Sequence, residues 1–304
     1  MVSVVILTRD EEQDLPVCLE SLTWTDDVHV LDSGSTDLTP DISRKYGAEF
    51  SFNAFKSFGQ QRNFALDHLP LKYDWILFLD ADEVVTPEFE KALKTSISEA
   101  EENIAGFYCC CKMILEGRWL KFCDDFPKWQ FRVLKKGRAN FTDFGHGQKE
   151  GEIKGELGFI KEPYLHYSFS KGWTQWVERH NKYSSDEASA RLYSRPPFKN
   201  IFSSNSSIRN PALKSFLCLV PGWPFLRFLY AYLFNFGFLE GIQGFIFCVN
   251  MAYHEFLIVL KMRELKMNGE VRAKPIDIKE SVSTTGNFVP FILFQPESIF
   301  FWLF

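Results

Sequence analysis

The seven cysteines of this 304-residue chain form no C-x-x-C pair. That argues against a zinc site, and the odd, unpaired count suits a reducing compartment. The consecutive Cys109, Cys110 and Cys111 read as core packing, since free cysteine is among the most buried residue types. The chain has no G-x-G-x-x-G and no G-x-x-x-x-G-K-[ST], which counts against a dinucleotide enzyme and a P-loop ATPase. It has no basic excess: the formal net charge is −5, so nothing in it calls for a nucleic-acid partner. Its start, M-V-S-V-V-I-L-T-R-D, lacks a basic n-region and a cleavage site and reads as a first strand, not a signal peptide. No run of ~20 apolar residues is uninterrupted, as a simple membrane span would require; Ile242 to Leu260 comes near but contains Asn250, His254 and Glu255.

Apolar residues are plentiful, at 46%, enough for a substantial core. The unusual figure is 32 Phe, many of them after Phe198. An aromatic excess confined to one part of a chain points to a surface that meets lipid.

The most informative stretch is W-I-L-F-L-D-A-D-E, Trp75 to Glu83. Its apolar run suits a strand buried on both faces of a parallel sheet. Side chains alternate along a strand, so Asp80 and Asp82 point the same way. Two carboxylates aimed at one point call for a cation, and hard oxygen ligands suit Mn or Mg. The rival reading is an acidic loop that caps the next helix.

Before this stretch the pattern is β-α-β-α-β-α. Strands are expected at Val2 to Leu7, Val28 to Leu31 and Ala48 to Phe52. Helices are expected on the Leu15, Cys18, Leu19, Leu22 stripe, after a Thr39 N-cap with Pro40, and over Phe58 to His68. Thr86 and Pro87 start a further helix. This alternation predicts an α/β fold with a mostly parallel, doubly wound sheet and helices on both faces. Strands follow at Gly106 to Ile114 and Trp129 to Lys135, then a Gly-rich mixed region from Asn140 to Tyr167, then one helix from Ser170 to Tyr193. The resulting organisation is a domain over 1–194, a linker over 195–211, an apolar helical region over 212–268 and a tail over 269–304 with no assigned role. Pro221, Pro224, Gly237 and Gly241 cut the apolar region into pieces flanked by Lys214, Arg227, Lys261, Arg263 and Lys266. Such pieces suit helices lying in the lipid interface, with a helical subdomain or dimer interface as the alternative.

Three polar turns belong at the carboxyl edge of the sheet, where ligands collect: Thr8 to Glu12, Asp32 to Asp37 and Asp80 to Glu83. Asp32 could accept from a base or ribose, and Ser33, Gly34 and Ser35 would let backbone N–H groups approach. With no glycine cradle, a phosphate needs a metal or an arginine, which makes Arg62 a candidate. Transfer to a hydroxyl also needs a base; the candidates are Glu150, Asp143, His146 and Asp125. Gln130 and Arg132 could position a sugar or phosphate, although Arg132 could equally pair with a surface acid.

Several stretches carry a family resemblance: V-V-I-L-T-R-D-E-E at Val4 to Glu12, V-L-D-S-G-S-T-D at Val30 to Asp37, F-G-Q-Q-R-N-F-A-L at Phe58 to Leu66 and L-D-A-D-E at Leu79 to Glu83. W-Q-F-R-V-L-K-K-G at Trp129 to Gly137, L-H-Y-S at Leu165 to Ser168, and the segment Phe228 to Gly241 add to it. Together they resemble a family-2 glycosyltransferase of the GT-A fold, in the branch of bacterial lipopolysaccharide-core glucosyltransferases. The resemblance implies a Rossmann-like GT-A sheet and an inverting transfer from a nucleotide-diphosphate sugar, commonly UDP-linked, to a lipid-linked or cell-surface glycan acceptor. It implies that Thr8, Arg9 and Glu11 contact the nucleotide, Asp32 the base, Arg62 the diphosphate, Asp80 the ribose or metal, and Asp82 the metal. The apolar pieces and their basic flanks lead to the expectation of a peripheral or monotopic protein on the cytoplasmic face of the cell membrane. The chain departs from the pattern at Lys128, where relatives often have Asp, and at Gly145 to Glu150, where G-H-G-Q-K-E stands for a compact V-H-E. A sugar nucleotidyltransferase is the enzymatic alternative, but would want glycines in the Thr8 to Glu12 turn. A catalytically inactive membrane scaffold is the other.

Overall fold

The computed structural model describes residues 1–144, 147–193, 195–203 and 206–273. The first strands and helices follow the hydrophobic pattern: β1 (Ser3–Thr8), α1 (Leu15–Glu20), β2 (Val28–Asp32), α2 (Thr39–Lys45), β3 (Glu49–Phe52), α3 (Phe58–His68) and β4 (Trp75–Asp80). Then come β5 (Glu83–Val84), α4 (Pro87–Ser98), β6 (Ile104–Leu115), β7 (Arg118–Trp119), β8 (Gln130–Lys135), β9 (Ala139–Phe144), β10 (Gly147–Ile153) and β11 (Glu156–His166). The chain continues through α5 (Gly172–Tyr193), α6 (Ser206–Leu217), α7 (Trp223–Leu229) and α8 (Gly241–Ala273).

The main sheet runs β3-β2-β1-β4-β8-β6-β11-β5, with β7 paired to β6 off that path. The pairs among β3, β2, β1 and β4 are parallel, β8 is antiparallel to both its neighbours, and β11 is parallel to β6. Period-two alternation sorts the strand residues onto two faces. Val4, Ile6, Leu77 and Leu79 pack with Leu15, Phe89 and Leu93 of α1 and α4. Val5, Ile76 and Phe78 pack on the other face with Ala65 and Leu69 from α3 and its exit. This is the mostly parallel α/β sheet that the alternation of elements predicts, with helices on both faces. The strand order reverses between β1 and β4, and in open α/β sheets such a reversal leaves a crevice beyond the strands' carboxyl ends. Register places Thr8 beside Asp32 and Leu7 beside Asp80 at that edge.

Thr86 caps α4 as expected, accepting from the Phe89 N–H at 3.2 Å. Thr39 does not cap α2: the N-cap is Leu38, and the Thr39 hydroxyl instead accepts from the Glu11 N–H at 2.8 Å. The hydroxyl ties the first turn to the second instead of closing its own helix. The region from Asn140 to Tyr167, expected to be mixed, is strand for most of its length. β9 and β10 form a separate antiparallel hairpin against α3. Gly59 permits this contact, because a Cβ there would sit 2.8 Å from Asp143 Oδ1.

Residues 1–265 pack as one unit that includes most of the apolar C-terminal region; a second unit begins at Lys266. Within 195–211, the segment read as a linker, a 3₁₀ turn covers Phe198–Phe202 and α6 begins at Ser206. The apolar stretch breaks near the residues expected to cut it: α7 carries Pro224 in its first turn, and Gly237–Glu240 is a 3₁₀ turn. Gly244 lets α8 start against that turn, where a Cβ would lie 2.2 Å from the Gly237 carbonyl oxygen. The tail from 274 onward lies outside the described residues.

Candidate functional site

At the β1–β4 switch the structure opens a cleft of about 780 Å³. Its near wall includes Thr8, Arg9, Glu11, Ser33, Phe55 and Gln61, its floor Asp80, Ala81, Asp82 and His166. The far wall comes from the loop after β7 (Asp124, Lys128), from α5 and the turn before it (Phe169, Trp176, Arg179, His180, Tyr183), and from α8 (Phe247, Met251).

On the near wall, Asp32 is 2% exposed and its carboxylate is fully used within its own turn. Oδ2 accepts from the Gly34 and Ser35 N–H groups, each at 2.8 Å, and Oδ1 accepts from the hydroxyls of Thr8 and Ser35. Asp32 therefore shapes the turn, and does not line the cleft. Gly34, at φ 102°, supplies the left-handed backbone the turn requires. Thr8, Arg9 and Ser33 are what the turns present to a ligand. Gln61, absent from the sequence candidates, is buried and donates to the Ser33 hydroxyl at 3.2 Å. Burial pushes Glu11 up to about 7, against the pull of Lys171, whose ammonium lies 2.7 Å from it.

The floor separates the two aspartates. Asp80 is held from behind: Arg132 bonds its Oδ2 at 2.8 Å, and Arg62 approaches its Oδ1 at 3.4 Å. Both arginines are nearly fully buried, and neither lines the cleft. Arg62, expected at the diphosphate, lies instead over the Phe78 and Phe141 rings, about 5.4 Å and 5.3 Å from their centroids. Arg132 pairs with no surface acid; its second partner is Glu83 at 2.7 Å, and the same nitrogen serves both carboxylates. Burial acts to raise the Asp80 pKa, but Arg132 and Arg62 outweigh it and hold the carboxyl well below the usual range. Burial pushes Glu83 up to about 7 despite Arg132. One shared cation cannot neutralise two acids, and Asp80 takes the larger part. Arg132 and Arg62 engage its two oxygens, and Asp80 still lines the cleft.

Asp82 is different. Its Oδ2 faces the His166 Nε2 at 3.4 Å, and both residues line the cleft. Far along the chain from Asp82, His166 arrives because β11 pairs antiparallel with β5, setting His166 opposite Glu83. The Tyr167 N–H closes the contact on the Asp82 carbonyl at 2.9 Å. Burial works against charge on His166, yet Asp82 raises its pKa well above the ordinary value. His166 was visible in the sequence within the Asn140 to Tyr167 region and the L-H-Y-S stretch, but with no role assigned to it. Among the described residues no group of three or more His, Cys, Asp or Glu converges as a metal site. A carboxylate and an imidazole that has released its proton suit a divalent ion that takes its other ligands from phosphate and water, as Mg and Mn commonly do. The residues therefore fit such an ion when a diphosphate is bound.

The remaining candidates lie elsewhere. Asp143 accepts from the Gly59 N–H at 3.0 Å, satisfying one of the free donors at the start of α3. Glu150 accepts from the Tyr108 hydroxyl at 2.8 Å, and Gln130 accepts from Arg132 Nε at 2.9 Å. None of the three lines the cleft. Asp125 bonds the Asn235 side chain. His146 lies outside the described residues. Asp124, which the sequence reading passed over, does line the cleft.

The family profile described as "Glycosyl transferase family 2" matches residues 3–149. A protein of Rickettsia conorii described as an uncharacterized glycosyltransferase is 24% identical over 95% of this chain and 97% of its own. The lipopolysaccharide core biosynthesis glycosyltransferase LpsC of Rhizobium meliloti is 25% identical over 86% of this chain and 91% of its own. Among solved structures, S. aureus TarS is 14% identical with a TM-score of 0.42, covering 90% of this chain and 92% of that one.

Proposed function

Residues 3–149 place the chain in glycosyltransferase family 2, and on that premise we propose that it transfers a sugar, with inversion, from a nucleotide-diphosphate sugar to a lipid-linked or cell-surface glycan. The observation that carries this reading is the Asp82–His166 pair on the floor of the cleft at the β1–β4 switch. A donor laid across that edge would set its nucleoside against Thr8, Arg9 and Ser33 and its diphosphate over Asp82. A divalent cation held there by Asp82 and His166 would supply charge stabilisation for the departing diphosphate. Arg132 and Arg62 keep Asp80 ionised and still beneath the donor. Phe169, Trp176 and His180 give the far wall an aromatic surface, with the Trp176 and His180 ring centroids 3.6 Å apart. The relative described as a core-lipopolysaccharide transferase supports a cell-surface glycan as acceptor. The nucleotidyltransferase alternative is less well supported, because the Thr8 to Glu12 turn offers no glycine cradle.

A panel of nucleotide-sugars screened by thermal stabilisation, with and without Mn, tests the reading. A UDP-sugar should raise Tm by several degrees with Mn and by much less with EDTA; no stabilisation by any of them would reject it.

We also propose that the C-terminal region lies on the cytoplasmic surface of the membrane. Phe225, Phe234 and Ile242 are 63%, 68% and 59% exposed, within a wider apolar surface from Leu219 to Leu260. The helix Gly237–Met267 is long and apolar enough to cross a bilayer. A surface position is favoured because α8 is tied to the transferase domain between Phe247 and Met262. Phe247 and Cys248 pack against Leu120 and Cys123, and Ile258 and Met262 pack against Ala188 and Cys218. Between them Arg191 grips Glu255 at 2.7 Å and 3.1 Å. The full chain should float with anionic phospholipid vesicles, and a variant with Phe225, Phe234 and Ile242 all replaced by Ser should float several-fold less. A wild-type chain that stays unbound would end this proposal.

A further inference from the structure

We propose that Asp124 is the general base of the transfer, the group that takes the proton from the incoming hydroxyl. The inference rests on the glycosyltransferase reading above. Of the acids lining the cleft, Glu11 is bound by Lys171, Asp80 by two arginines, and Asp82 faces His166. Glu178 is exposed to solvent. Asp124 alone combines deep burial, at 4% exposed, with a place on the wall away from the nucleotide turns. Its Oδ1 is held by the Lys128 ammonium, and no described residue donates to Oδ2. That leaves one lone-pair site for an acceptor hydroxyl. Burial raises its pKa despite Lys128, which makes it a better proton acceptor than an exposed carboxylate.

The loop is held in place from the apolar region. Glu240, 3% exposed, accepts from the Phe122 N–H at 2.7 Å and from the Cys123 N–H at 3.1 Å, the two residues before Asp124. Asn235 bonds Asp125 on the other side. Glu240 is thus a positioning residue, and the C-terminal region completes the site as well as serving any lipid contact. Lys128, the departure from the family pattern, has an assignable role here: it orients Asp124.

The step balances as a single displacement. The acceptor oxygen bonds the anomeric carbon while its proton passes to Asp124 Oδ2. The anomeric C–O bond to the diphosphate breaks, and its electron pair leaves with the diphosphate.

Azide separates a missing base from a damaged fold, because it is a nucleophile that has no proton to lose. The full-length protein, with Mn and the UDP-sugar it turns over fastest, is assayed for UDP release. Asp124→Ala should lose about 10²–10⁴-fold, the usual contribution of a general base. Molar azide should then restore at least tenfold, giving the glycosyl azide of inverted configuration, with little effect on wild type. UDP should still shift the variant's Tm as it does the wild type's. Retention of half or more of wild-type turnover would overturn the assignment. So would loss without azide rescue in a variant that still binds UDP. Should the variant fail to fold, Asp124→Asn takes its place in the same assay. A wild-type protein that neither binds UDP nor releases it from any UDP-sugar would refute the transferase reading itself, a result distinguishable from failure of the base alone.

Discussion

Asp82→Ala is expected to lower donor turnover by about a thousandfold or more, with Tm in the absence of ligand changed by only a few degrees. The size follows from the chemistry: the departing diphosphate gathers negative charge, and charge stabilisation by a bound cation is worth several kcal/mol, each ~1.4 kcal/mol being a factor of ten in rate. The small effect on the fold follows from the site. The Asp82 side chain faces the cleft and His166, not the sheet interior. Its removal leaves His166 beside a vacated position at the cleft floor, but deletes no packing between β4 and its neighbours. Asp80→Ala should behave differently, because Asp80 neutralises Arg132 and Arg62 from within the fold. Steady-state release of UDP alongside a thermal melt of each variant separates the two. Equal loss of stability in both would show that the aspartates share one structural role.

Arg132→Ala is expected to cost ~3–5 kcal/mol of stability, since removing one partner of a buried ion pair strands the other. Two acids would be stranded here. Glu83 is fully buried, and Asp80 would keep only the longer contact to Arg62. A second substitution, Glu83→Gln, should recover part of the loss, because it removes the acid that burial already pushes towards its neutral form. Urea denaturation of the single and double variants measures this directly. A single variant within 1 kcal/mol of wild type, the scale of an exposed ion pair, would mean the network is far more hydrated than its burial implies.

Much of the sheet was legible before any coordinates. The run at Trp75 to Leu79 suited a strand covered on both faces, and the helical stripe of Leu15, Cys18 and Leu19 gave its helix one face to bury. The D-A-D-E turn was legible as a site because two carboxylates so close need an external reason. Their different fates were not. Asp80 is claimed by Arg132, an arginine embedded in the buried run Q-F-R-V-L-K, and such an arginine implies an acid partner without naming it. His166 was hidden because strand pairing between β11 and β5 creates its proximity to Asp82, and pairing over that separation leaves no local pattern. Asp143 and Glu150 looked catalytic because acids in a Gly-rich stretch resemble an active-site loop. The stretch is a hairpin, and its acids serve the N-terminus of α3 and the Tyr108 hydroxyl. Asp32 shows the converse: a turn rich in small residues can consume its own carboxylate.

The central claim is that Asp82 and His166 together hold a divalent cation beneath the donor. Pulsed electron paramagnetic resonance of Mn(II), with the full-length protein and UDP, reads the histidine directly through its nitrogen coupling. The wild-type complex should show a ¹⁴N modulation that disappears in His166→Gln while UDP stays bound. A UDP-bound Mn(II) spectrum with no histidine nitrogen in the wild-type protein would contradict the account.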